Sequence, residues 1–363
     1  MKLLTSVTML ASVALAVSRS LSTRQTNDSP LDVRIEMDGN SRVKAVLTNN
    51  GNKELRLLKT GTFLDQAPVE KAKVYTSPIY SESAVDFSGI RLRVAPSKLT
   101  AASFQTLGAG QSVTTDFDLA HVHDLSSGGT YHVELSGALS TASGSSSSSS
   151  SSLAGSVPYR SNRLSITVDG PAASAAASAF HLQRRAKIQD CNGTQLSVTR
   201  AALSSCAKLA SAAAASAAAS NSSDDKMTEY FKAADNSTRG VVSGVFSRVA
   251  AECGSTTAGV ADYYCSDPYD ACSDGVLAYT VPTQSYMAYC PLYFTELPPR
   301  TERCHAQDQA TTNLHEVTHL RQVKGTEDYG GYGYDFVQSL TKEQNLNHAD
   351  TYALFANAIN LRC

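Results

Sequence analysis

Thr312-Asn313-Leu314-His315-Glu316-Val317-Thr318-His319-Leu320 contains the pattern H-E-x-x-H. Most positions around it suit a helix, and Gly325 is placed to terminate that helix after His319. Residues four apart on a helix lie one turn apart on the same face, so His315 and His319 can offer two imidazoles to one metal ion. Glu316 stands next door, close enough to reach water on the metal without being a ligand. Zinc in such a place acidifies that water, and Glu316 can take its proton as it attacks a carbonyl. A catalytic zinc also needs a third protein ligand and an open position. The glycines of the following stretch, Gly325 to Tyr334, let the chain double back toward the metal. Glu327 and Asp328 are the nearest carboxylates and Asp335 and Asp350 lie further on. Outside the motif, residues 186–363 hold only His305 and His348. Spacing alone does not choose among these.

Around this stretch the chain divides in two. Of its 363 residues 42% are hydrophobic and 18% charged, with a net charge of −2. That length suits two ordinary domains, and the charge disfavours a nucleic-acid binder. Residues 1–185 carry 18 basic against 14 acidic side chains and no cysteine, whereas 186–363 carry 13 against 19 and all eight cysteines. Residues 1–20 open with Lys2, continue as an apolar run and end in small residues, which reads as a secretory signal peptide. No second apolar run is long enough to span a membrane. In an oxidising secretory route, an even cysteine count implies up to four disulfides.

Short alternating runs at Val33–Met37, Val43–Leu47, Gly89–Val94 and Thr130–Leu135, punctuated by Asn/Gly and Ser/Gly turns, predict an antiparallel sandwich over residues 30–140. The serine run Ser145–Ser152 reads as a spacer, and Arg163–Val168 as one more strand returning to the sandwich. An alanine/serine linker then ends at Arg184-Arg185, a pair that a kexin-like protease would cut; a solvated basic patch is the alternative. The pair sits where charge sign, cysteine content and periodicity all change, so the domains are read as signal peptide 1–20, propeptide 21–185 and catalytic domain 186–363. Helices are expected over Ala201–Ala219, Lys226–Ala234 and Val241–Cys253. Sequons at Asn27, Asn192, Asn221 and Asn236 fit a secreted glycoprotein.

H-E-x-x-H followed by Gly325-Thr326-Glu327-Asp328 and a Tyr-Gly pair resembles the aspzincin metallopeptidases, in particular the fungal deuterolysins. The likeness extends to Cys304–Thr312, Cys265–Tyr269, Asn347–Leu354 and the terminal Cys363, and so covers most of residues 186–363. It implies an α+β protein: a β-sandwich-like propeptide, then a mainly helical, zincin-type catalytic domain with disulfides. His315, His319 and Asp328 would hold one Zn2+, with Glu316 as general base. Tyr332 would stabilise the oxyanion, although three residues separate it from Asp328 where the family has two, so Tyr329 and Tyr334 stay open. Asp350 matches one acidic position of the substrate pocket in lysine-specific relatives, while Ala353 stands at the second. By the same resemblance Cys191 pairs with Cys265, Cys272 with Cys290 and Cys304 with Cys363, leaving Cys206 and Cys253 for a fourth bridge.

The expected protein is thus a secreted, monomeric zinc endopeptidase that favours basic proteins such as protamine and histones. It would be made as an inactive preproenzyme, its propeptide acting as intramolecular inhibitor and folding aid. His121-Val122-His123-Asp124 is the candidate source of a ligand that blocks the metal. The competing reading is a catalytically impaired secreted zinc-binding effector or surface-binding protein of the same fold. An intact Glu316 speaks against it, because a site kept only for binding needs no base.

Overall fold

The computed structural model describes residues 29–77, 82–142, 153–185, 191–219, 224–255 and 259–363. The leader at 1–20, the serine run and the sequons at Asn27 and Asn221 lie outside these residues. The first half is built of strands because its apolar residues alternate. In β1 (Leu31–Met37) the side chains of Leu31, Val33 and Ile35 are buried while Arg34 and Glu36 face water. It pairs with β2 (Arg42–Asn49), matching Val33 to Leu47 and Ile35 to Ala45, and β2 pairs with β7 (Ser112–Asp118). A second antiparallel sheet runs β10 (Leu153–Arg160), β9 (Ser136–Ala142), β3 (Leu55–Leu58), β6 (Phe104–Leu107). A third runs β11 (Leu164–Val168), β8 (Gly129–Glu134), β4 (Lys73–Thr76). Leu31, Leu47, Leu57, Phe63, Val133, Leu139 and Ile166 join in one core between them.

Part of the stretch read as linker is ordered. Helix α1 (Gly170–Arg185) occupies the alanine/serine segment, and Asp169 accepts a hydrogen bond from the Ala172 amide at its start. Alanine is the strongest helix former, and a buried Ala173 ties the helix to the sandwich core. The dibasic pair Arg184-Arg185 closes this helix.

The second half packs α2 (Gly193–Ala218) against α4 (Asn236–Gly254), with α3 (Asp224–Phe231), α6 (Gln309–His319) and α9 (Ala349–Leu361) completing a core around Leu209, Phe231, Phe246, Leu314, Val317, Tyr352 and Phe355. Three short helices, α5 (Pro291–Glu296), α7 (Tyr334–Ser339) and α8 (Lys342–Asn345), line its rim. Disulfides join Cys191 to Cys265, Cys206 to Cys253, Cys272 to Cys290 and Cys304 to Cys363. No helix among the described residues is long and apolar enough to cross a membrane.

The two halves share a sheet. Its order is β12 (Asp262–Tyr264), β14 (Tyr286–Tyr289), β13 (Val276–Val281), β5 (Arg91–Val94), and only the β12–β14 pair is parallel. The run Gly89–Val94, expected in the sandwich, therefore supplies its strand to the helical half instead. The reason lies in its burial: Leu92, Arg93 and Val94 are consecutive and all buried, so both faces of β5 are covered, whereas a sandwich strand shows one face to water. A third apolar cluster lies along this seam, with Leu58, Ile90, Leu92 and Phe104 from one half meeting Tyr279, Val281, Ala288 and Tyr332 from the other.

Candidate active site

Helix α6 runs through the middle of the second half, and all eleven of its residues are buried. Asp308 caps it by accepting from the Thr311 amide at 2.6 Å, and the Thr311 hydroxyl closes the capping box on the Asp308 backbone. Beyond Leu320 the chain makes a tight turn and reverses at Gly325, whose φ of +69° is left-handed. The Thr326 amide then bonds back to the Thr318 carbonyl, which brings the next residues alongside α6.

His315, His319 and Asp328 meet there. His315 Nε2 and His319 Nε2 are 3.1 Å apart, and Asp328 Oδ1 lies 3.3 Å from the first and 3.4 Å from the second. The outer nitrogens are spoken for: His319 Nδ1 faces the Thr326 carbonyl at 2.9 Å, and His315 Nδ1 faces Asp350 Oδ1 at 3.1 Å. Those acceptors place the ring protons on Nδ1, so two bare Nε2 lone pairs and a carboxylate oxygen point at one another. That convergence is repulsive unless a cation lies between them. Tetrahedral zinc, with bonds of about 2.0–2.2 Å, holds its ligand atoms about 3.3 Å apart, which is the size of this triangle. Asp328 Oδ1 is buried and accepts no well-aligned hydrogen bond among the described residues, while its Oδ2 accepts from the Leu92 amide. The residues present fit zinc.

Burial lowers His315 to about 3, helped by the positive charge of Arg93, so this imidazole stays neutral. Burial also pushes the Asp328 carboxyl up, while positive charge on the imidazoles facing it, His319 foremost, pulls it well below the usual carboxylate range, so the position favours a carboxylate only when a positive charge is present. Glu316 is fully buried beside them, and burial raises it well above an ordinary glutamate, against the Thr280 hydroxyl that donates to its Oε2 at 2.6 Å. Its Oε1 has no hydrogen-bond partner among the described residues. A divalent cation would draw both carboxyls downward.

The other candidates separate cleanly. Glu327 turns away to Lys73 at 2.6 Å, Asp335 starts α7, and His305 meets the Tyr230 hydroxyl at 2.9 Å. His348 faces the Thr351 hydroxyl and the Gly331 carbonyl. Among the tyrosines, the Tyr329 hydroxyl accepts from Asn347 and the Tyr334 hydroxyl donates to Glu229, whereas the buried Tyr332 hydroxyl has no partner among the described residues. Burial raises Tyr332 well above an ordinary phenol, with the charge of Asp328 adding to it. Asp350 is buried, with one of its oxygens bracing His315 and the other accepting from the Gly333 amide at 2.7 Å. His121 stacks on Phe180, and His123 is buried edge-on to Phe87; neither joins the metal cluster.

Sequence reasoning missed Thr280, which reaches the base from a strand 36 residues earlier, and Arg93, whose guanidinium is buried against Asp350. Nothing local marks either one. In a run such as Arg91-Leu92-Arg93-Val94, alternation alone suggests arginines that face water.

Residues 2–363 match the deuterolysin metalloprotease (M35) family. The chain is 47% identical over 363 residues to a "Neutral protease 2 homolog" of Colletotrichum graminicola, covering 100% of both chains. It is 49% identical to another of Phaeosphaeria nodorum, covering 99% of this chain and 98% of that one. It is 40% identical to "Neutral protease 2" of Aspergillus oryzae, covering 92% of each. Among solved structures, a zinc peptidase from Grifola frondosa matches 46% of this chain and 97% of its own, with a TM-score of 0.39 and 21% identity.

Proposed function

The chain belongs to the deuterolysin metalloprotease (M35) family and is a zinc metalloendopeptidase; on that premise we propose that it is secreted as an inactive precursor and acts once cleavage after Arg185 frees residues 186–363. His315, His319 and Asp328 hold one zinc ion per chain. The observation that carries this reading is the triangle of two bare imidazole nitrogens and one unpartnered carboxylate oxygen, with Glu316 beside it. When bound, zinc supplies Lewis-acid polarisation of the substrate carbonyl and acidifies the attacking water.

Glu316 takes the proton of that water through its free Oε1 and passes it to the leaving amine. Burial favours its neutral form and a neighbouring cation its carboxylate, and these opposed pulls let it take a proton and release it again. The Thr280 hydroxyl fixes the other carboxylate oxygen, so the base does not have to be oriented during the reaction. Tyr332, a phenol with no competing partner, donates to the oxyanion formed as water adds. A preference for basic proteins rests on Asp350 and on the excess of acidic side chains in residues 186–363, which draws cationic substrates toward the site.

Protamine or casein digestion by the secreted, processed protein tests this. A chelator should abolish cleavage and zinc restore it, and Glu316→Gln should lower turnover by roughly 10²–10⁴-fold with zinc still bound. Cleavage that persists in either control refutes the mechanism. Intact mass of the same material reports whether the chain begins after Arg185.

A further inference from the structure

In this chain His315, Glu316 and His319 expose no surface at all. A strand from the first half packs against their helix alongside α2, α4, α9 and β13. β5 lies antiparallel along the edge of β13, with Arg93 opposite Ala278, Leu92 opposite Tyr279 and Arg91 opposite Thr280, the residue that holds the base. Adding a strand to a free sheet edge is how many proteins bind extended peptides.

The details of β5 are those of a bound peptide. The Leu92 carbonyl oxygen stands 3.3 Å from His315 Nε2, so a backbone carbonyl reaches one of the residues that would hold the metal. The Leu92 amide donates to Asp328 Oδ2 at 3.2 Å. Arg93, one residue past that carbonyl, buries its guanidinium against Asp350, with Nη1 3.2 Å from His315 Nδ1. On the far side Gln307 Nε2 donates to the Val94 carbonyl at 2.6 Å. Both ends are tied down as well: the Ile90 amide bonds Pro68 and the Ala95 amide bonds Gly275. Gly61 also closes on the site, since a Cβ there would come within 2.8 Å of the Tyr332 hydroxyl.

We propose that β5 is an autoinhibitory strand: it occupies the peptide-binding edge of β13 with the Leu92 carbonyl against His315 and Arg93 plugged against Asp350. This rests on the peptidase reading of the site and adds the means of its latency, which is backbone pairing plus an arginine anchor rather than a blocking histidine. The guanidinium is costly to bury, and the buried carboxylate of Asp350 against it offsets that cost. Without the charge, the strand loses its anchor and the edge of β13 opens.

The test uses the full chain, kept intact by Arg184→Gln and Arg185→Gln and silenced by Glu316→Gln, so that binding is read without turnover. A fluorescein-labelled peptide containing Leu-Arg-Val is titrated against it. The parent chain should bind weakly, Arg93→Ala at least tenfold more tightly, and Arg93→Lys like the parent. Arg93→Met keeps the bulk without the charge, and in it the amides of residues 276–281 should exchange hydrogen at least tenfold faster than in the parent. Peptide binding by Arg93→Ala no tighter than the parent, or unchanged exchange in Arg93→Met, overturns the proposal. Failure of the peptidase reading would show separately, as a processed chain with no chelator-sensitive hydrolysis.

Discussion

Residues 29–185 form their core from small antiparallel sheets and carry no cysteine, whereas residues 191–363 form theirs mainly from helices and contain four disulfides. The first half grips the second through a strand, an apolar seam and ion pairs such as Lys73–Glu327. The difference fits what each half would have to do under the latency proposed above. A site that must hold three ligand atoms to within tenths of an ångström benefits from covalent bracing of the surrounding elements. A cover that must be removed is better held by contacts that a single cleavage and dissociation can undo.

Reduction should separate the halves most sharply. Each disulfide contributes about 2–4 kcal/mol by restricting the unfolded chain. A thiol reductant should therefore expose residues 191–363 to hydrogen exchange at a denaturant concentration where β1 and β2 stay protected. Equal loss of protection in both halves would break the contrast.

A smaller effect is expected at Thr280. Replacing it with valine removes a hydrogen bond to a buried carboxylate, which should cost about tenfold in kcat with little change in KM. That bond holds Glu316 down, so without it the pKa of the base rises and the acid limb of the pH profile moves upward. An unmoved acid limb would show that Thr280 serves packing alone.

The smallest effect lies at the seam. Glu70 is buried, which alone would raise it, but Arg91 and Lys73 outweigh that and hold it at about 2 against an ordinary 4.5. A depressed folded value gives stability that is present above pH 4.5 and lost as pH falls toward 2. The thermal midpoint of the full chain should drop across that window more steeply than that of Glu70→Gln. Parallel curves would contradict this.

Legibility followed distance along the chain. H-E-x-x-H could be read because a helix brings residues four apart together whatever else the fold does, and the strands of the sandwich because alternation marks one buried face. Asp328 is only nine residues past His319, yet spacing left it among several carboxylates; the reversal at Gly325 that selects it depends on a backbone bond from Thr326 to Thr318. The cysteine pairs and the tyrosine came from family resemblance rather than from spacing. Arg93 and Thr280 were not legible, because their roles depend on the register of β5 on β13, and a strand covered on both faces carries no alternation to announce its partner. An arginine in such a strand looks solvated until the carboxylates that await it are known.

Zinc content and X-ray absorption of the full chain test the central claim most directly. The account predicts zinc bound by two imidazole nitrogens with a carboxylate oxygen, and loss of that zinc on Asp328→Ala while the four disulfides and the helical content persist. Zinc retained undiminished in Asp328→Ala, or found on a ligand set without His315 and His319, would contradict it.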